Sequence, residues 1–232
     1  MRIAIVGGGR MGQTVAELAA AGGHEIATVI RGHENAAGAA LTANRLGDVD
    51  VAVEFSRPDA VLDNLERLIE LGIPVVTGTT GWAQHLPRIT ALVHASDGAL
   101  LHAPNFSTGV ALLLRAATEV ARRFAARPGF AELVVDEHHG GKRDAPSGTA
   151  LALQAALRAG DAGRDFPIAS IRGGHHPGRH RVTWDRPFET IHLEHAARDR
   201  RVFAEGALLA AEWLPGQTGV FTFDQMLFGR EP

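Results

Sequence analysis

Arg2-Ile3-Ala4-Ile5-Val6-Gly7-Gly8-Gly9-Arg10-Met11-Gly12 is the stretch that decides the fold. An unbroken apolar run of strand length enters a G-x-G-x-x-G turn, and Val15, Leu18 and Ala19 then recur at helical spacing. A strand without polar alternation is one covered on both faces, as in a parallel sheet. Glycines at these places allow a tight turn and the close approach of a pyrophosphate, whose charge meets the free N–H groups of the helix that follows. Gly7, Gly8, Gly9, Arg10, Met11 and Gly12 are therefore candidate dinucleotide-binding residues. The alternative is a strand–helix turn that binds nothing.

Working outward, the first hundred residues keep the same rhythm. Strands are predicted over His24 to Ile30, Asp50 to Phe55, Ile73 to Val76 and Ala99 to His102. Helices are predicted over Met11 to Ala21, Pro58 to Leu71 and Trp82 to Ala95, the last interrupted at Pro87. This β-α-β alternation predicts an α/β, Rossmann-type parallel sheet with helices on both faces. The pattern then changes. A long amphipathic helix, Val110 to Ala126, precedes a strand at Glu132 to Asp136 and a helix capped by Ser147 that runs to about Ala159. Strands at Ile168 to Arg172, His180 to Trp184 and Glu189 to His195 follow, then a helix from Asp199 to Trp213. Strands without alternation predict an α+β second domain. The expected division is 1–106 for dinucleotide binding, with 214–232 packing back on it, and 107–213 for the second domain. The Ala/Gly-rich stretch from Gly32 to Gly47 carries no clear periodicity.

Composition narrows the chemistry. The 232 residues carry a formal net charge of −3, so no basic footprint for nucleic acid is present. No apolar run approaches the ~18 residues that a membrane-spanning helix needs, and the first residues do not read as a signal peptide. A cytoplasmic location is the expectation. There is no cysteine and no tyrosine, which removes thiolate and phenol chemistry. Acid–base work falls to the 12 histidines, the carboxylates and Lys142, the one lysine beside 22 arginines. A lysine retained against such a background points to a place where a compact, tunable ammonium serves and a planar guanidinium does not.

Lys142 lies in Glu137-His138-His139-Gly140-Gly141-Lys142-Arg143-Asp144-Ala145-Pro146-Ser147-Gly148-Thr149-Ala150. Imidazoles that exchange protons near neutral pH, one ammonium and a helix N-terminus together read as recognition of a carboxylated substrate. A metal reading of His138, His139, His175, His176 and His180 is disfavoured, because adjacent histidines on an extended segment point to opposite faces and no H-E-x-x-H or cysteine accompanies them. Elsewhere, Arg31 ends the second strand, where an acid on the ribose 2′-hydroxyl is the usual NAD signature; a cation there favours a 2′-phosphate without excluding NAD. Gly78, Thr79 and Thr80 follow the fourth strand and suit the nicotinamide half of a cofactor, with an ordinary turn as the alternative. Ala103, Pro104, Asn105 and Phe106 follow the fifth, with Phe106 either shielding a nicotinamide or serving as a buried hinge aromatic.

Taken together, these motifs resemble the dihydrodipicolinate (4-hydroxy-tetrahydrodipicolinate) reductase family. The match includes Arg10-Met11-Gly12, Glu54-Phe55-Ser56 with Pro58, Gly78-Thr79-Thr80-Gly81, Asn105-Phe106-Ser107 and, most specifically, His-His-x-x-Lys-x-Asp-Ala-Pro-Ser-Gly-Thr-Ala. Ile171-Arg172-Gly173-Gly174, Gly178-Arg179-His180 and His195-Ala196 are also similar to it. The resemblance implies NADPH- or NADH-dependent reduction of a cyclic dicarboxylate in lysine and diaminopimelate synthesis. It implies His138 as proton donor/acceptor, Lys142 as the second catalytic group, and His139, Gly148 and Thr149 as substrate ligands. It further implies a homotetramer assembled through the second domain. Two departures are Arg31, where many members carry an acid, and a shortened segment after Gly32. A different two-domain NAD(P) oxidoreductase acting on a carbonyl, or a dinucleotide-binding sensor without turnover, are the rival readings.

Overall fold

In the computed structural model, residues 1–127 and 129–229 are described. The opening run forms β1 (Arg2–Val6), and the glycine turn leads into α1 (Arg10–Ala21). β2 (Glu25–Ile30) is followed by two single 3-10 turns and a short helix, α2 (Ala43–Leu46), so the stretch without periodicity is built from turns. Then come β3 (Val51–Glu54), α3 (Val61–Glu70), β4 (Val75–Thr77), α4 (Leu86–Ala95) and β5 (Ala99–His102). Pro87 does not interrupt α4; it occupies the first turn, where a missing N–H costs nothing because that group has no intrahelical acceptor.

The second stretch begins with α5 (Thr108–Phe124), capped by the Ser107 hydroxyl. β6 (Ala131–His138) ends on the first histidine of the His-His-Lys loop, two residues beyond the predicted strand end. α6 (Gly148–Gly160) follows its Ser147 cap, then β7 (Ile168–Arg172), β8 (Gly178–Arg186) and β9 (Glu189–Ala197). These strands form one sheet in the order β7-β6-β8-β9, parallel only between β6 and β7. β6 and β8 alternate: Val134, Asp136, His138, His180, Val182 and Trp184 are buried on one face. Leu113 and Ala117 of α5 and Leu153 and Leu157 of α6 pack there around Val134, Val182, Phe166 and Trp184. Trp184 stacks on Phe124 at 5.8 Å between centroids.

The chain returns with α7 (Arg201–Trp213), β10 (Gly219–Thr222) and α8 (Phe223–Phe228). β10 pairs in parallel with β5, which completes a six-stranded, all-parallel sheet in the order β10-β5-β4-β3-β1-β2. Ile3, Ile5, Val51 and Val53 point to a layer shared with Val15 and Ala19 of α1 and the alanine face of α7. Ala4, Val6, Ala52 and Val75 point the other way, against α3 and α4. The chain thus divides into two compact units, Met1–Phe106 with the chain from Phe203 on, and Ser107–Val202. Residues 203–213, expected with the second domain, belong to the first. Ala204, Ala207, Ala210 and Ala211 are fully buried against its sheet, and such small side chains allow a close helix–sheet approach.

Trp184 is the largest fully buried side chain. Trp184→Ala is expected to destabilise the second unit by about 3–5 kcal/mol, read as a lower denaturation midpoint with the first unit's transition unmoved.

Candidate active site

Four loops that carry predicted cofactor residues leave the parallel sheet at the same, C-terminal edge of its strands. β1 sits at the switch point, with β2 on one side and β3 on the other, the position where open α/β sheets bind ligands. Gly7 has φ +109°, and a side chain there would collide with the Phe55 carbonyl. A Cβ on Gly12 would collide with the Gly7 carbonyl, so the turn closes this tightly only with glycine at both places. Gly8, Gly9, Arg10 and Met11 form the exposed or half-exposed lip of the turn ahead of α1. Arg31, exposed directly after β2, runs its side chain past Gly8, with its Cγ 2.9 Å from where a Cβ there would stand. Gly78, Thr79 and Thr80 leave β4, and Ala103, Pro104, Asn105 and Phe106 leave β5. Phe106 is only 2% exposed, and its ring packs edge-on against Phe55 and Phe223.

Beneath these loops lies a buried carboxylate. Glu54, at the end of β3, accepts hydrogen bonds from Thr77 Oγ1 (2.7 Å), the Ser56 N–H (3.1 Å), Asn64 Nδ2 (3.3 Å) and the Ser56 hydroxyl. Asn64 accepts in turn from Asn35 (2.7 Å), whose own oxygen takes the Ala40 N–H (3.0 Å). The Ser56 N–H also reaches Thr79 Oγ1 at 2.8 Å. One network therefore ties together the loops after β2, β3 and β4.

In the second unit, strand period two puts Asp136 and His138 on the same inward face of β6. Asp136 is fully buried and accepts from the Ser147 N–H (2.9 Å), Ser147 Oγ (2.8 Å), Ser170 Oγ (3.2 Å) and Arg172 Nη2 (2.8 Å). His138 Nδ1 lies 2.9 Å from Asp136 Oδ1, within ion-pair reach though out of line for a hydrogen bond. His138 Nε2 turns toward Gly178, where a Cβ would approach it to 2.9 Å; glycine at that position leaves room for the ring. His180 pairs across from Asp136 in the β6–β8 register and stands edge-on to His138 at 5.1 Å. Its Nε2 is 3.1 Å from Ser147 Oγ. That hydroxyl donates to Asp136 and accepts from Ala150 N–H at the start of α6, so His180 presents an Nε2–H to it.

The loop between His138 and Ser147 is held at its base. Arg172 donates to the Asp136 and Asp144 carbonyls at 3.0 and 2.7 Å, and the His139 N–H donates to the His176 carbonyl at 2.9 Å. Lys142 Nζ is paired with the exposed Asp144 carboxylate at 2.9 Å. Gly148 and Thr149 form the first turn of α6, and His139 is half-buried beside Gly141. The structure thus brings His138, His139, Lys142, Gly148 and Thr149 to one end of the second sheet.

Charge and burial set the protonation states. Burial alone would raise the Asp136 carboxyl, but the Arg172 guanidinium, the two Ser147 donors and His138 outweigh it and hold it well below the usual carboxylate range. Burial pushes His138 below an ordinary imidazole; Asp136 opposes that shift, while Lys142 and Arg172 add to it. Burial, then the neighbouring His138, lowers His180 to about 4. Asp136, His138 and His180 place one donor atom each within 4.8 Å of the others, a metal-like spacing. A cation there would meet a guanidinium already bound to the same carboxylate, so the cluster is better suited to holding protons.

Two family models match, "Dihydrodipicolinate reductase, N-terminus" over residues 1–106 and "Dihydrodipicolinate reductase, C-terminus" over residues 109–227. A curated 4-hydroxy-tetrahydrodipicolinate reductase from Christiangramia forsetii is 33% identical, with 98% of each chain covered. The chain belongs to the dihydrodipicolinate reductase family. A second relative of the same name, from Sulfurimonas denitrificans, is 36% identical over 78% of each chain. The fold matches the dipicolinate-bound dihydrodipicolinate reductase from Paenisporosarcina sp. TG-14 with a TM-score of 0.79 at 19% identity, covering 96% of this chain and 97% of that one. Membership of this reductase family, with its Rossmann-type first unit, implies a nicotinamide cofactor.

The residues that sequence reasoning passed over are Asp136, Arg172 and Glu54. Asp136 stands two places before His138 on a strand, a spacing that by itself puts both side chains on one face. Arg172 and Glu54 lay in motifs that the sequence matched to the family without a role.

The neutral, buried His180 makes stability depend on pH. Between the ordinary 6.5 and about 4, the unfolded chain binds a proton that the folded one refuses. This contribution is present above pH 6.5 and is lost as pH falls toward 4, on the order of 3 kcal/mol when complete. Melting temperatures of wild type and His180→Asn from about pH 7.5 to about pH 4.5 should show the wild type falling more steeply; parallel curves would count against it.

Proposed function

We propose that this chain reduces 4-hydroxy-tetrahydrodipicolinate with NADPH or NADH, in the lysine and diaminopimelate route. The observation that carries this reading is one arrangement in the second unit: a buried imidazole, the chain's one ammonium and the first turn of α6, all at the end of β6. The ring substrate is a dicarboxylate. Lys142 and the N–H groups of Gly148 and Thr149 take one carboxylate and balance charge moving toward the ring nitrogen, with His139 alongside. The ring hydroxyl leaves as water with a hydrogen from the adjacent ring carbon, forming a double bond to the carbon that bore it. A bound nicotinamide would supply the hydride for the carbon so exposed, and His138 handles the proton that completes the product. The glycine turn (Gly7 to Gly12) takes the pyrophosphate; Gly78, Thr79, Thr80 and the 103–106 segment border the nicotinamide half.

Arg31 supports NADPH over NADH, because an exposed guanidinium beside the glycine turn suits a ribose 2′-phosphate. A coupled assay with freshly prepared substrate tests both points. Lys142→Ala is expected to lower kcat roughly 10²- to 10³-fold with NADPH affinity unchanged, and Arg31→Ala to raise KM for NADPH more than for NADH. A near-wild-type kcat in the lysine variant would refute the assignment.

We also propose a homotetramer built on the sheet of the second unit. One face is packed by α5 and α6. The other carries Leu133 and Ile171, 39% and 51% exposed, among the ion-paired Arg179, Arg181, Glu137 and Glu194. Sedimentation should give four copies for the wild type and fewer for Ile171→Glu; an unchanged tetramer in the variant would move the interface elsewhere.

A further inference from the structure

We propose that Asp136 is the positioning residue of the reaction: one buried carboxylate that fixes the His138 ring and the first turn of α6 at the same time. The proposal rests on the reading of His138 as the proton-handling group. Asp136 touches neither substrate nor cofactor in that reading and acts through the groups it holds. One oxygen, Oδ1, takes the Ser147 hydroxyl at 2.8 Å and lies 2.9 Å from His138 Nδ1. The other, Oδ2, takes the Ser147 N–H at 2.9 Å and the Arg172 guanidinium at 2.8 Å. The same guanidinium holds the Asp144 carbonyl at 2.7 Å. Both ends of the loop that carries Lys142 are therefore fastened to one acid, on β6 before it and at Ser147 after it.

The consequence for His138 is a choice of tautomer. A carboxylate at Nδ1 favours the proton on that nitrogen and leaves Nε2, over Gly178, as the nitrogen that gives and takes. The charged and titratable groups around the ring are Asp136 on its own strand, Arg172 on β7, His180 on β8 with His195 beyond it on β9, and Lys142 and Asp144 on the loop. Of these, Asp136 is the chief one that keeps a proton on His138, and burial works against it. Removing the acid's charge should make the ring a weaker base.

The experiment pairs kinetics with nitrogen NMR on the intact enzyme. His138→Asn identifies the limb of the kcat/KM profile and the imidazole resonances that belong to His138. In wild type, those resonances should report Nδ1–H with Nε2 titrating. In Asp136→Asn, the limb should move to lower pH by about one unit or more, and kcat should fall roughly 10- to 100-fold, with KM for NADPH unchanged. If His138→Asn keeps full activity, the reading of His138 fails, whatever Asp136 does. If His138→Asn is inactive but Asp136→Asn keeps both limb and kcat, Asp136 is not the positioning residue. An Nε2–H tautomer in wild type overturns the proposal even where the Asp136 variant does not fold.

Discussion

The bond between the Asp136 carboxylate and its donors is the constraint on which the second unit depends. A carboxylate with no exposed surface is costly unless its lone pairs are filled and its charge is met. Here a guanidinium, two serine hydroxyls and a backbone N–H do both. Those donors come from β7 and from the Ser147 cap of α6, so satisfying one acid on β6 fixes two further pieces of chain to it. The histidines beside it inherit a dry, charged setting, and their lowered basicity follows from burial first and neighbouring charge second.

The first unit solves a similar problem differently. Glu54 is as deeply buried at the end of its own strand, yet the donors that reach it among the described residues are neutral: a backbone N–H, two hydroxyls and an amide. A carboxylate served by neutral groups orders the loops after β2, β3 and β4 through hydrogen bonds alone, with no ion pair to that carboxylate among the described residues. In the second unit, where the proposed substrate is an anion, the cations are divided: Arg172 is spent on the buried acid, and Lys142 is left on the half-exposed loop.

What the sequence made legible follows from how local the signal was. The Arg2 to Gly12 stretch carries strand, turn and helix in consecutive residues, and the sheet around it formed as the alternation predicts. Ser147 was readable as a cap because a hydroxyl preceding a helical pattern has one obvious partner. The last strand was not: Gly219-Val220-Phe221-Thr222 is too short to show a period, and only its pairing with β5 makes it a strand. The alanine face of α7 says that something packs closely on it, not which sheet does. Asp136 hid for another reason. Its role is set by Ser170 and Arg172, more than thirty residues further on, and by a strand that runs two residues longer than its composition indicated.

The parallel pairing of β10 with β5 has a consequence for synthesis. The dinucleotide-binding sheet is split in the chain, with five strands ahead of the Ser107–Val202 unit and one behind it. On the ribosome the inserted unit is contiguous and complete while its host still shows an unpaired strand edge at β5. Until the segment carrying β10 emerges, that edge is open to pairing with another chain, so the nascent enzyme's exposure to aggregation is set by how soon the chain from Phe203 to Thr222 is made.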